Sequence, residues 1–343
     1  MLRLGYDCDN ACLFCGQAGS ELDPSALADP RARLTELRAD HDEISFVGGE
    51  PALDPRLPEW IASAKQLGFT AIGLQTNGLR LARDRGLFHQ LVDAGLGDLH
   101  LSIHGPSAAS HDYHTGRPGS LAGLVALMDW AQRASVTTVA TTVLTRSNFR
   151  ELTKIPPALK RRGVSAWLIQ TLRPYGRAAD NFARVVPRFG MALPWALHAL
   201  EQARRHDLSA WIRGAPLCTL GPFAASALPE LDEPDDGSRR SFPSSCDPCP
   251  AKARCPGVDP LYLEVFDGKE LVPREARAPA EFDAGRQRLT RMFVGVGRLV
   301  PRPAQLYSQR DATAETGKNR RLPVLGDPPR PAADLAESDV ESR

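Results

Sequence analysis

Three cysteines near the amino terminus, Cys8, Cys12 and Cys15, are spaced CxxxCxxC in the run Cys-Asp-Asn-Ala-Cys-Leu-Phe-Cys. Three thiolates on one tight loop can hold three irons of a [4Fe–4S] cluster and leave the fourth iron without a protein ligand. An open iron is a place to do chemistry, whereas a cluster closed by four cysteines is a wire or a staple. The remaining four of the seven cysteines are Cys218, Cys246, Cys249 and Cys255. Cys246 and Cys249 form a CxxC pair, Cys255 follows after five intervening residues, and Cys218 comes from a preceding Pro-Leu-Cys turn. Four thiolates suit either tetrahedral zinc or a closed [4Fe–4S] cluster.

Other polar groups recur where apolar runs end. Val47-Gly48-Gly49-Glu50-Pro51 offers two residues without Cβ, whose backbone can pass close to a ligand, and one carboxylate suited to an ammonium group. Leu74-Gln75-Thr76-Asn77-Gly78 and Leu101-Ser102-Ile103-His104-Gly105 end in small hydroxyl and amide side chains that either bind a ligand or cap turns. His104, His111, Asp112 and His114 form a dense patch that resembles a zinc site when read without context. Arg173-Pro-Tyr-Gly-Arg177 places two guanidinium groups that either hold a substrate carboxylate or lie on the surface.

The elements that must position these residues are legible from the apolar pattern. Strand candidates are 2–6, 43–47, 71–75, 98–103, 137–144 and 165–171, and helical patterns lie near 30–38, 58–67, 84–94, 121–133, 150–162 and 194–206. Six strand-then-helix units in series predict a parallel sheet with right-handed crossovers and outer helices. Such sheets bind ligands at the carboxyl ends of their strands, which is where the polar motifs fall. Beyond residue 207 the alternation stops. A strand is expected at 208–212, an acidic solvated loop at 228–240 and another strand at 259–264. From residue 301 the chain is rich in Pro, Arg and Asp, and a disordered tail is expected.

Bulk properties narrow the class. The 343 residues are 42% hydrophobic, and 42 basic against 41 acidic side chains leave a net charge of +1. That balance gives no electrostatic footprint for nucleic acid or an anionic membrane. No apolar run approaches the roughly 18 residues a spanning helix needs, and no signal-peptide build opens the chain. A cytoplasmic location is expected, in which cysteines serve as metal ligands rather than disulfides.

Taken together, CxxxCxxC, the following Gly-Gly-Glu-Pro and the strand-end hydroxyls resemble the radical S-adenosylmethionine (SAM) enzymes, in the branch that holds molybdenum-cofactor and PQQ-type peptide-modifying members. The resemblance implies a partial (β/α)6 barrel, with Cys8, Cys12 and Cys15 as ligands of a cluster whose open iron chelates SAM. Phe14 matches the aromatic usual before the third cysteine. Gly48, Gly49 and Glu50 match the motif that receives the methionine ammonium, and Thr76 and Ser102 match positions near the SAM carboxylate and ribose. It further implies reductive cleavage of SAM to a 5′-deoxyadenosyl radical that abstracts a substrate hydrogen, with electrons from a reductase such as flavodoxin or ferredoxin. In that family His-Asp followed by Thr-Gly commonly opens the next helix, so Asp112 and Thr115 are expected as capping residues and the histidines are not expected as ligands.

The second cysteine group resembles the SPASM and twitch extensions, and its four thiols fit the shorter form with one auxiliary [4Fe–4S] cluster. The organisation expected is a barrel over 1–206, an auxiliary domain over 207–300 and a tail over 301–343. The resemblance points to oxidative modification of a peptide. Because the chain begins at its first strand, leader-peptide recognition is expected from a separate protein. The same chemistry on a small molecule in cofactor or metabolite biosynthesis is the alternative, and a non-catalytic metal-binding scaffold is the reading from another class.

Overall fold

The computed structural model describes residues 1–18, 29–228, 241–273 and 284–294. Eight strands form one wholly parallel sheet in sequence order: β1 (Leu2–Arg3), β2 (Glu43–Val47), β3 (Ala71–Thr76), β4 (Asp98–Ser102), β5 (Thr137–Leu144), β6 (Ala166–Thr171), β7 (Ser209–Arg213) and β8 (Ala227–Leu228). The connecting helices are α1 (Pro30–Asp40), α2 (Leu57–Gln66), α3 (Leu79–Arg83), α4 (Arg85–Ala94), α5 (Ala108–Thr115), α6 (Ser120–Arg133), α7 (Ile155–Arg161), α8 (Arg177–Asp180), α9 (Phe182–Val185) and α10 (Phe189–Arg205). Two more follow the sheet, α11 (Pro260–Phe266) and α12 (Ala284–Val294). The parallel α/β sheet is the fold the strand-and-helix alternation predicts, consistent with the partial barrel that the resemblance implies.

Local chemistry accounts for many boundaries. Asp29 caps α1 by accepting from the Ala32 N–H at 3.1 Å, with Pro30 at the first position, where no donor is needed. Asp84 caps α4 by accepting from Leu87 N at 2.9 Å. β5, Thr-Thr-Val-Ala-Thr-Thr-Val-Leu, is mostly β-branched and pairs six residues with β6. Along the strands, Ile72, Leu74, Leu99, Leu101, Ala140, Trp167 and Ile169 turn to one face and pack in the main core with the helices. Residues of opposite parity turn to the other, concave face.

Five expectations change. The sheet has eight strands rather than six, because the 208–212 run becomes β7 and pairs in register with β6 from Ser209 to Arg213, with β8 adding to its edge. The strand expected at 259–264 is α11. Asp259 accepts from Leu261 N at 2.9 Å and Pro260 takes the first helical position, a start signal that outweighs the short apolar run Leu261–Leu263. The helix expected at 150–162 splits into a 3-10 turn, Phe149–Lys154, and α7, because Pro156 and Pro157 supply no amide donors. The helix placed at Pro194 starts five residues earlier, at Phe189. Its first donors are met by tertiary partners, Phe189 N by the Tyr262 hydroxyl at 2.7 Å and Gly190 N by the Glu270 carboxylate at 2.7 Å. β1 ends at Arg3, although Leu4 N still donates to Val47 O at 2.9 Å. The expected tail (301–343) and nearly all of the acidic loop (229–240) lie outside the described residues.

Candidate functional site

The loop carrying Cys8, Cys12 and Cys15 follows β1 at the carboxyl end of the sheet, and four other segments hold it. From the β3 end, Asn77 Nδ2 donates to Asp9 Oδ1 at 2.8 Å and reaches Cys8 Sγ at 3.5 Å. At the turn after α5, Thr115 O accepts from Ala11 N at 2.8 Å, and Arg117 Nε donates to the Asp9 carbonyl. From α8, Arg177 Nη1 donates to Cys12 O and its backbone N to Cys15 O, both at 3.1 Å. From the β2 end, Gly49 N donates to Gly5 O at 3.0 Å and Glu50 N to Asp7 O at 2.7 Å. An irregular loop has no ladder of its own, so these bonds decide where its thiols stand.

The two glycines of the 48–50 turn meet the chain itself. A Cβ on Gly49 would lie 2.2 Å from Asp7 O, and one on Gly48 would lie 2.7 Å from Gly5 O. Close backbone approach is thus required here, between the β2 exit and the β1 exit. Glu50 is 3% exposed, and its carboxylate accepts from Thr76 Oγ1 (2.7 Å), Asn77 N (2.7 Å) and Ala52 N (3.0 Å). Burial pushes its pKa up to about 7 against the opposing effect of those three donors. Thr76 also accepts from Gly78 N at 2.9 Å, so its hydroxyl ties the β2 and β3 ends together. It shares the helix-facing side with Ile72 and Leu74, whereas Ser102 lies on the concave face with Asp98 and His100.

The histidines pack beneath the cysteine loop. Phe14 stands edge-on to His104, with ring centroids 4.7 Å apart, and His104 stacks on His111 at 5.8 Å. His111 Nδ1 accepts from His104 N at 3.1 Å, and Nε2 pairs with Ser120 Oγ at 3.2 Å. His114 joins Ser110 O at 2.6 Å and Thr145 Oγ1 at 2.8 Å. Both ring nitrogens of His111 and His114 are therefore engaged, and burial holds all three histidines below their usual pKa. Asp112 accepts from Gly119 N at 2.6 Å and Leu121 N at 2.9 Å, capping the start of α6. Asn148, fully buried, donates to the His104 and Val143 carbonyls, both at 2.9 Å, and accepts from Thr145 N.

Cys8 is exposed, and Cys12 and Cys15 are half-buried. Burial, with Cys15 and Cys8 next, pushes the Cys12 thiol up to about 12. Thiols this close do not ionise together without a cation to share, and bound iron is such a cation. The second group shows the same signature. Cys218, Cys246, Cys249 and Cys255 line one concavity with Leu217, Phe242 and Leu271, and burial followed by the other three thiols raises Cys218 to about 11. Among the described residues no three donors gather as one metal ion requires. A four-iron cluster makes a different demand, since each thiolate holds its own iron. Both donor sets fit such a cluster.

Sequence reasoning missed Asn77 and Arg117 as loop anchors, and it left Arg177 between substrate and surface, whereas its guanidinium and its amide both bond to the cysteine loop. It also passed over the polar residues on the concave face near the strand ends, Gln75, Thr141, Gln170 and Arg213. For Gln75, Gln170 and Arg213 the signal was one long polar side chain near the end of a largely apolar strand; Thr141, among the four threonines of β5, carried no such signal. Arg173 O accepts from Tyr175 N at 2.9 Å in the turn before α8.

Residues 2–155 match the radical SAM superfamily. The chain carries a radical SAM domain. An AdoMet-dependent heme synthase of Oleidesulfovibrio alaskensis is 31% identical over 183 residues, covering 52% of this chain and 46% of its own. A PqqA peptide cyclase of Rhizobium meliloti is 29% identical over 193 residues, 54% of this chain and 50% of its own. The chain thus spans about half the length of these curated relatives. The crystal structure of Streptococcus suis SuiB bound to precursor peptide SuiA shares the fold, with a TM-score of 0.52, 13% identity, and coverage of 64% of this chain and 50% of that one. Among the described residues, no helix of this chain is long and apolar enough to cross a membrane.

Proposed function

We propose that this chain is a radical SAM oxidoreductase in which Cys8, Cys12 and Cys15 hold a [4Fe–4S] cluster with an open iron for SAM. The observation that carries the reading is the three-thiol loop, pinned from four segments at the carboxyl end of a parallel sheet within the matched domain. Bound there, cluster and SAM supply a reductively generated 5′-deoxyadenosyl radical that takes a hydrogen atom from substrate. The chain's own residues orient and shield. Gly48 and Gly49 bring the turn against the loop, and the buried Glu50 carboxylate sets a negative charge beside a methionine ammonium. Ser102 and the concave-face residues Thr141, Gln170 and Arg213 line the space left for substrate.

The second thiol group holds an auxiliary [4Fe–4S] cluster within the expected domain over 207–300, whose first residues also supply β7 and β8 of the sheet that the barrel of 1–206 begins. Four thiols around one apolar concavity support it. With all four bound, that cluster is closed and serves to move electrons, so the net reaction is oxidative. The substrate is a peptide, on the analogy of the PqqA peptide cyclase. Likeness to the heme synthase, at slightly higher identity, favours a small molecule as the second reading. A flavodoxin- or ferredoxin-type reductase and a separate leader-recognition protein are the partners implied, in the cytoplasm, where thiols stay reduced.

The test is anaerobic reconstitution followed by SAM and dithionite. About eight irons per chain and release of 5′-deoxyadenosine are expected from two four-iron clusters. About four irons would sink the auxiliary cluster, and no 5′-deoxyadenosine would sink the radical reading. Cys12→Ala should abolish 5′-deoxyadenosine. Cys249→Ala should lower iron while leaving SAM binding intact.

A further inference from the structure

The concave face of the sheet carries a second apolar cluster, separate from the main core: Val139, Ala166, Leu168, Trp211, Leu228 and Phe293. Five of these are strand residues. The sixth belongs to α12, eighty residues beyond β7. Two ion pairs fix this helix against the amino ends of the strands, Arg288 to Asp98 at 2.8 Å and Arg291 to Glu43 at 3.3 Å. Asp98 opens β4 and Glu43 opens β2. The last turn of α12 reaches further in. Phe293, 2% exposed, stands edge-on to His100 at 5.2 Å and at 5.9 Å from Trp211, while Arg213 Nη1 donates to its carbonyl at 3.1 Å. Arg213 and His100 bind their strand neighbours in turn, Arg213 through Nε to Gln170 Oε1 at 2.5 Å and His100 through Nε2 to Thr141 Oγ1 at 2.6 Å. One helix thus spans from the amino-end rim to the polar residues that face the carboxyl-end chamber.

We propose that α12 is the floor of the reaction chamber, with Phe293 as the group that seals the sheet's concave face from its amino-end mouth. The inference rests on the radical SAM reading. A carbon radical survives only where stray hydrogen donors are kept away. A sheet of parallel strands that is not closed into a full barrel is open from below unless something fills it. Phe293 covers the side over β4–β7 with a ring that has no exchangeable hydrogen, while a concavity lined by Ser45, Gly73, His100 and Met292 remains on the β2–β3 side. The arginines are positioning residues: they hold the helix by carboxylates at the rim, away from the chamber. Arg213 joins the floor to the substrate-facing surface, so loss of the floor also frees the guanidinium from one of its anchors.

Hydroxyl-radical footprinting with peptide mapping tests the seal in the full chain, with or without clusters. Phe293→Ala should raise oxidation of Trp211 several-fold while leaving the core residue Trp60 unchanged; Phe293→Leu should keep most of the protection. Arg288→Gln with Arg291→Gln provides a second variant with the ring intact, and should give an intermediate rise. The consequence is read in reconstituted protein with SAM and dithionite in deuterated buffer containing dithiothreitol. A deoxyadenosyl radical that takes deuterium from the S–D group becomes closed-shell 5′-deoxyadenosine and leaves a thiyl radical. The deuterated fraction should rise several-fold in Phe293→Ala. Unchanged Trp211 oxidation would overturn the seal, and unchanged deuterium with raised oxidation would overturn its shielding role. A parent chain that makes no 5′-deoxyadenosine would instead fail the radical reading, and the footprint would still decide whether α12 closes the sheet.

Discussion

Arg177 and Cys12 lie 165 residues apart in the chain, yet the guanidinium donates to the Cys12 carbonyl at 3.1 Å, and the Arg177 amide donates to Cys15. One residue at the start of α8 therefore clasps both ends of the CxxC half of the motif. Neutral carbonyl acceptors leave the arginine charge close to the thiols, where it favours thiolate over thiol; Arg177 opposes the rise in the Cys12 pKa.

Arg177→Ala should loosen this half of the loop. Loss of a charge-assisted bond costs about 2 kcal/mol, and the thiolates lose a nearby cation. The expected result is lower iron retention after desalting and a broadened electron paramagnetic resonance signal of the reduced cluster. Arg177→Lys should restore part of the charge effect but not the geometry of the clasp. Iron retention equal to the parent in Arg177→Ala would refute the clasp.

Gly49→Ala places a methyl about where Asp7 O and Tyr6 O already lie, at 2.2 and 2.3 Å. Backbone cannot swing aside as a side chain can, so a loss of about 3 kcal/mol is expected from overpacking. Urea denaturation should show the midpoint falling. A variant of parental stability would mean that the β1 and β2 exits do not approach as described.

Glu50 makes stability depend on pH. Its carboxyl is held up to about 7, chiefly by burial, above its ordinary value of 4.5. The folded chain therefore binds more protons than the unfolded chain between these values. Stability contributed by the protonated group is complete below about pH 4.5 and is lost as pH rises through 7, a change on the order of 3 kcal/mol. The melting temperature should fall between pH 5 and pH 8 beyond the background trend, and Glu50→Gln should flatten that part of the profile. Equal slopes in parent and variant would contradict the assignment. Saturating SAM should reduce the slope, if its ammonium stands beside this carboxylate.

Tyr262 joins the Cys-rich segment to α10. Its hydroxyl accepts from Phe189 N and donates to Glu270, whose other oxygen accepts from Gly190 N and pairs with Arg188 at 3.3 Å. Tyr262→Phe leaves a helix-end donor and a carboxylate short of a partner, a loss of about 1–3 kcal/mol. Protease cleavage within 241–273 should quicken more than cleavage in the sheet. Uniform susceptibility across the chain would argue against a local junction.

By itself the sequence determined the parallel α/β class, the order of the first seven strands and the two thiol groups. Each follows from short-range signals: alternation of period two, caps within three residues, and cysteines a few residues apart. Only the tertiary structure decided what the motif residues touch. Gly48 and Gly49 need their missing Cβ atoms because another stretch of this chain passes there. Thr76 turns to the helix side of the sheet, and Arg177 meets the thiol loop, each by contacts that arise only when distant segments close on one another. The early start of α10 turns on the same cause, since a hydroxyl and a carboxylate from across the fold meet its first donors; the helix at 260–266 turns instead on a local aspartate cap and the proline after it. Sequence spacing identifies which groups can bind iron; strand parity and long-range hydrogen bonds fix where those groups face.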